Sequence, residues 1–513
     1  MADRQSPWLA LCAAAFALSC SSTSASPFAT LDAGGTPSSG GSAAGGSAAG
    51  GRDAGGSGGS HAGTSGGTAG AAGTNSIAGA AGAGASGGGV AGSAGTGGVG
   101  AAGAGLGGGG ASGASGAGGA GTGGAGAAGA NTGGGAGMTS ITIPGAGKCS
   151  APGGANAADA SAGYEKWKTD LLTSDGAGGF LRVRRPNSNG AEVNSTVSEG
   201  IAYGMLLAVY ASDQPTFDKL WQYSKLWPDS HGLMNWYINA AGTQALGSGG
   251  ATDADEDMAF ALLMADARWG GSGSLSTSYL SLAKTQIDLV WQYEVDHGRN
   301  DVLMPGDQFA DGSIINISYF APAYYRAFGR INGNTTQWDS VMNTSYAVLA
   351  QTLNTANGNA QNGLVPAWST PAGVPSAPAG QTQTFHQLDS CRTPFRLGED
   401  YCWNAEPRAL AYLQKIAGFY ASIGVAALVD GYDLDGTPHP QFVTSGGPRA
   451  ASFVGPAGVA AMATGTSFLG LRDDAYVGVA GLGELAGSTY YQESWTALSL
   501  QMMTGQLSDL SAP

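Results

Sequence analysis

Two stretches of the chain set carboxylates where chemistry could use them. In STVSEGIAYGMLLAVY, residues 195–210, Glu199 heads an otherwise apolar run of small residues. In GATDADEDMAFALLMADARW, residues 250–269, Asp253, Asp255, Glu256 and Asp257 crowd the head of another. A pair of carboxyl groups can do general acid–base work: the protonated one gives a proton and the ionised one takes one from water. A plainer role competes. Thr196-x-x-Glu199 fits a capping box, and Thr252-x-x-Asp255 follows the same logic with Asp in the fourth place. A helix N-terminus also stabilises an anion without any chemistry.

Three features favour chemistry. Gly200, Ala202 and Gly204 leave space beside Glu199 for a ligand or a close-packed helix. The acids from Asp253 to Asp257 exceed what a cap needs. Trp236, Phe309 and Tyr319 lie in loop-like stretches among polar residues. A sugar ring has apolar C–H faces and a polar rim, so aromatic platforms beside carboxylates suit a carbohydrate. Each aromatic alone fits core packing equally well.

Other chemistries find less support. No Cys/His spacing matches a zinc site, and the five histidines are scattered singly. Asp253-x-Asp255-x-Asp257 matches the start of a calcium loop, but Met258 stands where that loop needs glycine. No cofactor or metal is expected. The net charge of −15 and a pI near 4.6 disfavour a nucleic-acid partner, and no basic run appears.

These residues need elements to hold them. Ile201, Met205, Leu206 and Val209 share one helical face, as do Met258, Leu262, Ala265 and Trp269. TSYLSLAKTQIDLVWQYEV, TQWDSVMNTSYAVLAQTL, AEPRALAYLQKIAGFYASIG and SWTALSLQMMTG also carry helical spacing. Most are followed by Gly/Asn/Pro-rich loops, and alternating strands are few. Residues 141–513 therefore read as one mainly helical domain, large enough to favour a ring of helices two layers deep.

The rest of the chain differs in kind. Ten of the eleven tryptophans follow residue 140, whereas more than half of the 91 glycines precede it, so only the later part can build a core. Residues 26–140 form a disordered Gly/Ala/Ser-rich linker, too apolar-poor to offset its ordering entropy. About 100 such residues reach roughly 50–60 Å end to end, which suits a tether. Residues 1–25 read as a signal peptide with an apolar run from Trp8 to Ser19. ALSC, ending at Cys20, resembles a lipoprotein box, so cleavage with a lipid anchor at Cys20 and ordinary cleavage stay open together. Either route makes the protein secreted or tethered at the outer surface. Beyond the signal lie Cys149, Cys391 and Cys402, of which Cys391 and Cys402 could bridge.

Seven blocks in order, VSEGIAYGMLLAVY, GLMNWYI, ATDADEDMAFALLMADARW, PGDQFADGSIINISYFAPAYYRAF, LDSCRTPFR, LVDGYDLDG and SFVGPAGVAAM, resemble glycoside hydrolase family 8. The resemblance covers nearly all of residues 145–510. That family holds endoglucanases, chitosanases, lichenases and reducing-end xylanases. It implies an all-α, (α/α)6 barrel and hydrolysis with inversion. It implies Glu199 as general acid, Asp389 as base with Arg392 beside it, and Asp253 at the central subsite. Tyr319 would position the attacking water, Trp236 and Phe309 would line sugar subsites, and Tyr203 belongs to the SEGxxYGM block. Phe309 stands where a tryptophan is common. Retention of Asp389 argues against a chitosanase. The implied partner is a β-glucan polysaccharide; nothing in the sequence demands more than a monomer.

Overall fold

The computed structural model describes residues 141–186, 193–379, 381–440, 451–481 and 490–513. The signal and linker readings for residues 1–140 lie outside them. The described residues hold twelve α-helices: α1 Ala157–Leu171, α2 Ser198–Tyr210, α3 Gln214–Ser224, α4 Thr252–Trp269, α5 Tyr279–Tyr293, α6 Pro322–Asn332, α7 Thr335–Thr352, α8 Arg392–Asn404, α9 Pro407–Ile423, α10 Ala451–Met462, α11 Leu469–Ala480 and α12 Tyr490–Met503.

Even-numbered helices form an inner ring. Each contacts the next, α2 to α4, α6, α8, α10 and α12, and α12 closes back on α2. Every residue of α2 is buried, as expected of a helix apolar all round. Odd-numbered helices form the outer ring. From α3 to α11, each packs on the inner helix it follows; α1 packs on α12 and supplies the sixth pair. The outer helices are half-buried and carry the ordinary start signals. Asn156 caps α1, Asp213 caps α3 and Ser278 caps α5. This is the (α/α)6 barrel that the resemblance implied.

Short antiparallel strand pairs precede several inner helices. Thr196–Val197 pairs with Tyr237–Ile238 just before α2. Ile315–Asn316 pairs with Trp368–Ser369 before α6. His386–Gln387 pairs with Gly431–Tyr432 before α8. The strands pin the N-terminal ends of the helices that carry the candidate residues.

The disulfide differs from the sequence expectation. Cys149 bonds Cys402, with Cα atoms 5.4 Å apart, and Cys391 is free and buried. Cys391 immediately precedes α8 and Cys402 lies near its end. Eleven helical residues rise about 16 Å, far beyond a disulfide's reach. The bond instead ties the segment leading into α1 to the end of α8.

Candidate active site

The Thr196–Val197 strand ends where α2 begins, and the Ser198 amide donates to the Trp236 carbonyl at 2.9 Å. Glu199 is therefore the second residue of α2, held beside the Tyr237–Ile238 strand. The capping reading fails here. The helix is capped by Val197 without a side-chain bond, and the Thr196 hydroxyl donates to the Val183 carbonyl at 2.8 Å. The same holds at α4: Ala251 is the cap, and the Thr252 hydroxyl donates to the Met304 carbonyl at 2.7 Å. Neither helix start engages Glu199 or Asp253 as a cap, and both are left for other partners.

Those partners converge on Arg392, the first residue of α8. Its Nη1 stands 3.1 Å from Glu199 Oε2 and also contacts Asp253 Oδ2. Its Nη2 stands 3.3 Å from Asp389 Oδ1. Asp389 lies in the 3₁₀ turn Leu388–Cys391 that joins the His386–Gln387 strand to α8. Glu199 and Asp253 are 3% exposed, and Asp389 and Arg392 are 1% exposed, so these charges interact with little screening by water.

Burial sets the protonation of this cluster. Burial, with Asp253 and Asp389 nearby, raises the Glu199 carboxyl to about 8, against the pull of Arg392 and the Tyr490 hydroxyl. Burial also raises Asp389 above the ordinary carboxylate value, opposed by Arg392 and Asn316. Among the described residues, the atoms of this cluster without a protein hydrogen-bond partner include Asp253 Oδ1 and the Tyr203 hydroxyl. Buried polar groups are rarely left so, and a sugar hydroxyl would satisfy both.

The remaining acids of the DADED run point elsewhere. Asp257 pairs with Arg396, one turn beyond the Asp253–Arg392 contact, so α4 and α8 meet in a two-rung ladder. Glu256 accepts from the Tyr325 hydroxyl at 3.2 Å, and Asp255 from Gln286 at 2.9 Å on α5. Of the four, Asp253 is the one that shares Arg392 Nη1 with Glu199.

Among the aromatic candidates, the Tyr319 ring lies under the Arg392 guanidinium, 5.1 Å from ring centre to Cζ. Tyr203 is buried within α2, edge-on to Trp495. Phe309 is partly exposed and stacks on Trp368 at 6.4 Å. Trp236 is placed near Glu199 but is 5% exposed, stacked on Tyr237 and pressed against Gly247 of the Ala245–Gly247 strand. A sugar could lie on this indole only after the Gly247 strand moves aside.

Of the two uses expected of the small residues of α2, space for a ligand or close packing, the structure shows close packing. A Cβ on Gly204 would lie 2.7 Å from Leu220 and 2.8 Å from Trp167. A Cβ on Gly200 would lie 3.0 Å from the Tyr490 ring. Gly200 thus lets Tyr490 approach until its hydroxyl donates to Glu199 Oε1. Tyr490 and Asn316, whose Nδ2 donates to Asp389 Oδ2 at 3.1 Å, were missed in the sequence. Tyr490 lies 291 residues from Glu199, and no spacing rule joins them.

The family comparison agrees with this geometry. The model of glycosyl hydrolases family 8 matches residues 150–505. The chain belongs to glycosyl hydrolase family 8. It is 37% identical over 355 residues to endoglucanase A of Acetivibrio thermocellus, covering 68% of this chain and 70% of that one. It is 39% identical over 307 residues to endoglucanase 2 of Ruminiclostridium josui, covering 59% of this chain and 62% of that one. Less than two thirds of the second relative's length is therefore matched. The apo structure of a β-1,3-1,4-glucanase from Paenibacillus sp. X4 superposes with a TM-score of 0.62 at 28% identity, covering 71% of this chain and 97% of that one.

Proposed function

We propose that this family 8 glycosyl hydrolase is an inverting, endo-acting hydrolase of β-1,4-linked glucan. The observation that carries the reading is the single guanidinium of Arg392. It gathers Glu199, Asp253 and Asp389 from three separate elements. Glu199, protonated at neutral pH by its raised pKa, gives its proton to the glycosidic oxygen as the C–O bond breaks. Asp389 takes a proton from the water whose oxygen bonds the anomeric carbon from the opposite face. Asp253 and Tyr203 offer their unpartnered atoms to the central sugar, and Tyr319 orients the water. Trp236 and Phe309 border neighbouring subsites.

The names of the two endoglucanase relatives support β-1,4-glucan as substrate. A mixed-linkage β-1,3-1,4-glucan is the second reading, favoured by the Paenibacillus relative. We infer also that the protein works as a monomer outside the cytoplasm, either secreted or anchored through Cys20. The apolar run from Trp8 to Ser19 and the Cys149–Cys402 disulfide, which needs an oxidising compartment, support that location.

The test is reducing-sugar release by the full chain on carboxymethylcellulose, barley β-glucan, xylan and chitosan, beside Asp389→Asn. Release on the cellulose derivative, lost in the variant, is expected. Release on barley glucan alone would favour the second reading. Release on xylan or chitosan alone would overturn the substrate, and none at all would point to a non-catalytic carbohydrate binder.

A further inference from the structure

A second group of acids lies on the outer side of α4, away from Arg392. Asp229, His231 and Asp307 bring one ligand atom each within 4.8 Å of one another. Each side chain is already aimed. Asp229 Oδ1 accepts the amides of His231, Gly232 and Leu233 at 2.8, 2.8 and 3.0 Å. Its Oδ2 is buried and accepts no hydrogen bond. Asp307 Oδ1 accepts the Gly250 amide at 2.8 Å, while its Oδ2 lies 2.5 Å from His231 Nδ1. The His231 ring stacks on Tyr293 at 3.9 Å.

The surroundings are short of positive charge. Asp255 and Glu294 are both fully buried. Asp255 Oδ2 and both Glu294 oxygens accept no hydrogen bond. They face the residue that Asp307 holds: a Cβ on Gly250 would lie 2.7 Å from Asp255 Oδ2 and 3.0 Å from Glu294 Oε1. The cation nearby is Lys225, whose Nζ donates to the Gly232 carbonyl at 3.2 Å. Asp229 and Asp307 lie beside one lysine and one imidazole, and a cation bound between the two carboxylates would balance their charge.

We propose that Asp229, His231 and Asp307 bind a divalent metal ion of the zinc class. The imidazole argues for this class over calcium, which takes an all-oxygen shell of six to eight ligands. One nitrogen, two carboxylate oxygens and a water complete a tetrahedral set. Ligands already oriented by backbone amides and ring stacking are what such a site needs. The ion joins two loops directly and holds a third through the Gly250 amide that donates to Asp307. One runs through Pro228–Met234 to Trp236, a second runs from Pro305 to Phe309, and the third is the Gly250 turn that leads into Asp253. Its role is to fix the wall of the site, and glycoside hydrolysis needs no metal step from it.

The test uses the full chain, stripped with EDTA and dialysed, then titrated with Zn2+ alone. Metal content, calorimetric stoichiometry and thermal midpoint are read, with Ca2+ as control and His231→Ala alongside. We expect one equivalent of Zn2+ bound and a midpoint about 3 °C higher at saturation. His231 has a side chain 30% exposed, so the His231→Ala variant should fold; it should lose at least tenfold in affinity and show no such rise. Absence of stoichiometric Zn2+ would overturn the proposal and leave a proton shared between Asp229 and Asp307 as the alternative. Stabilisation by Ca2+ alone, or a Zn2+ effect unchanged in His231→Ala, would overturn it too. None of these readouts depends on glycosidase activity.

Discussion

Glu199 and Asp389 are bridged by one guanidinium: Arg392 meets the first at 3.1 Å through Nη1 and the second at 3.3 Å through Nη2. With Asp253 on the same Nη1, three buried carboxyl groups share one fixed positive charge. Such a set cannot hold three negative charges cheaply, so one carboxyl keeps its proton. The Glu199 carboxyl, raised to about 8, is the one in the best position to do so.

Activity should therefore fall as pH rises through about 8, because Glu199 then loses the proton it must donate. Glu199→Gln should lower kcat by about 10²–10⁴ while leaving the thermal midpoint near that of the parent. Steady-state rates between pH 4 and 10, beside a melting curve of the variant, check both statements. Retained activity in the variant would exclude Glu199 as the acid.

Stability should also depend on pH, with a definite sign. Glu199 and Glu399 are raised to about 8, and Asp257 and Asp430 to about 6, in each case chiefly by burial. A carboxyl with a folded pKa above its unfolded value favours the folded state most when protonated. That contribution is full below the ordinary values near 4 and is lost as pH climbs through about 6 and then about 8. Melting temperatures across pH 4–9 should decline over that window, and a rise there would contradict the assignment.

Tyr490→Phe should move the alkaline limb of the rate profile to higher pH. The Tyr490 hydroxyl donates to Glu199 and favours its ionised form, so its loss leaves the proton held more tightly. The shift of the limb, rather than the size of the rate, is the readout.

Arg392→Ala should destabilise the barrel by about 3–5 kcal/mol, because it strands three buried acids without their cation. Urea unfolding measures it. Arg392→Lys should recover part of the loss, since an ammonium cannot span Glu199 and Asp389 as the two nitrogens of a guanidinium do.

Cys149→Ser with Cys402→Ser should cost about 2–5 kcal/mol, since the bond closes a loop of 253 residues. Cys391→Ser should leave the response to reducing agent unchanged, because Cys391 is not in that bond. Unfolding with and without reductant distinguishes the two.

The sequence by itself determined much of this protein. Helical periodicity in stretches such as 279–293 and 407–423 located outer helices, because a half-buried helix must alternate its faces. The SEG and ATDAD runs set Glu199 and Asp253 at the heads of apolar stretches, and the resemblance to the family, not a local pattern, pointed to Asp389 and Arg392 in the LDSCR block. What a side chain meets there depends on contacts that local pattern does not encode. Only the closed ring brought Tyr490 to Glu199 across 291 residues, and paired Cys402 with Cys149 rather than Cys391. Only the packing showed that Gly200 and Gly204 admit Tyr490 and Trp167 rather than a sugar. The tertiary structure likewise separated Asp253, turned to Arg392, from Asp255, turned outward to Gln286. Two residues apart on a helix is a rotation of about 200°, which puts neighbours in sequence on opposite sides of the wall.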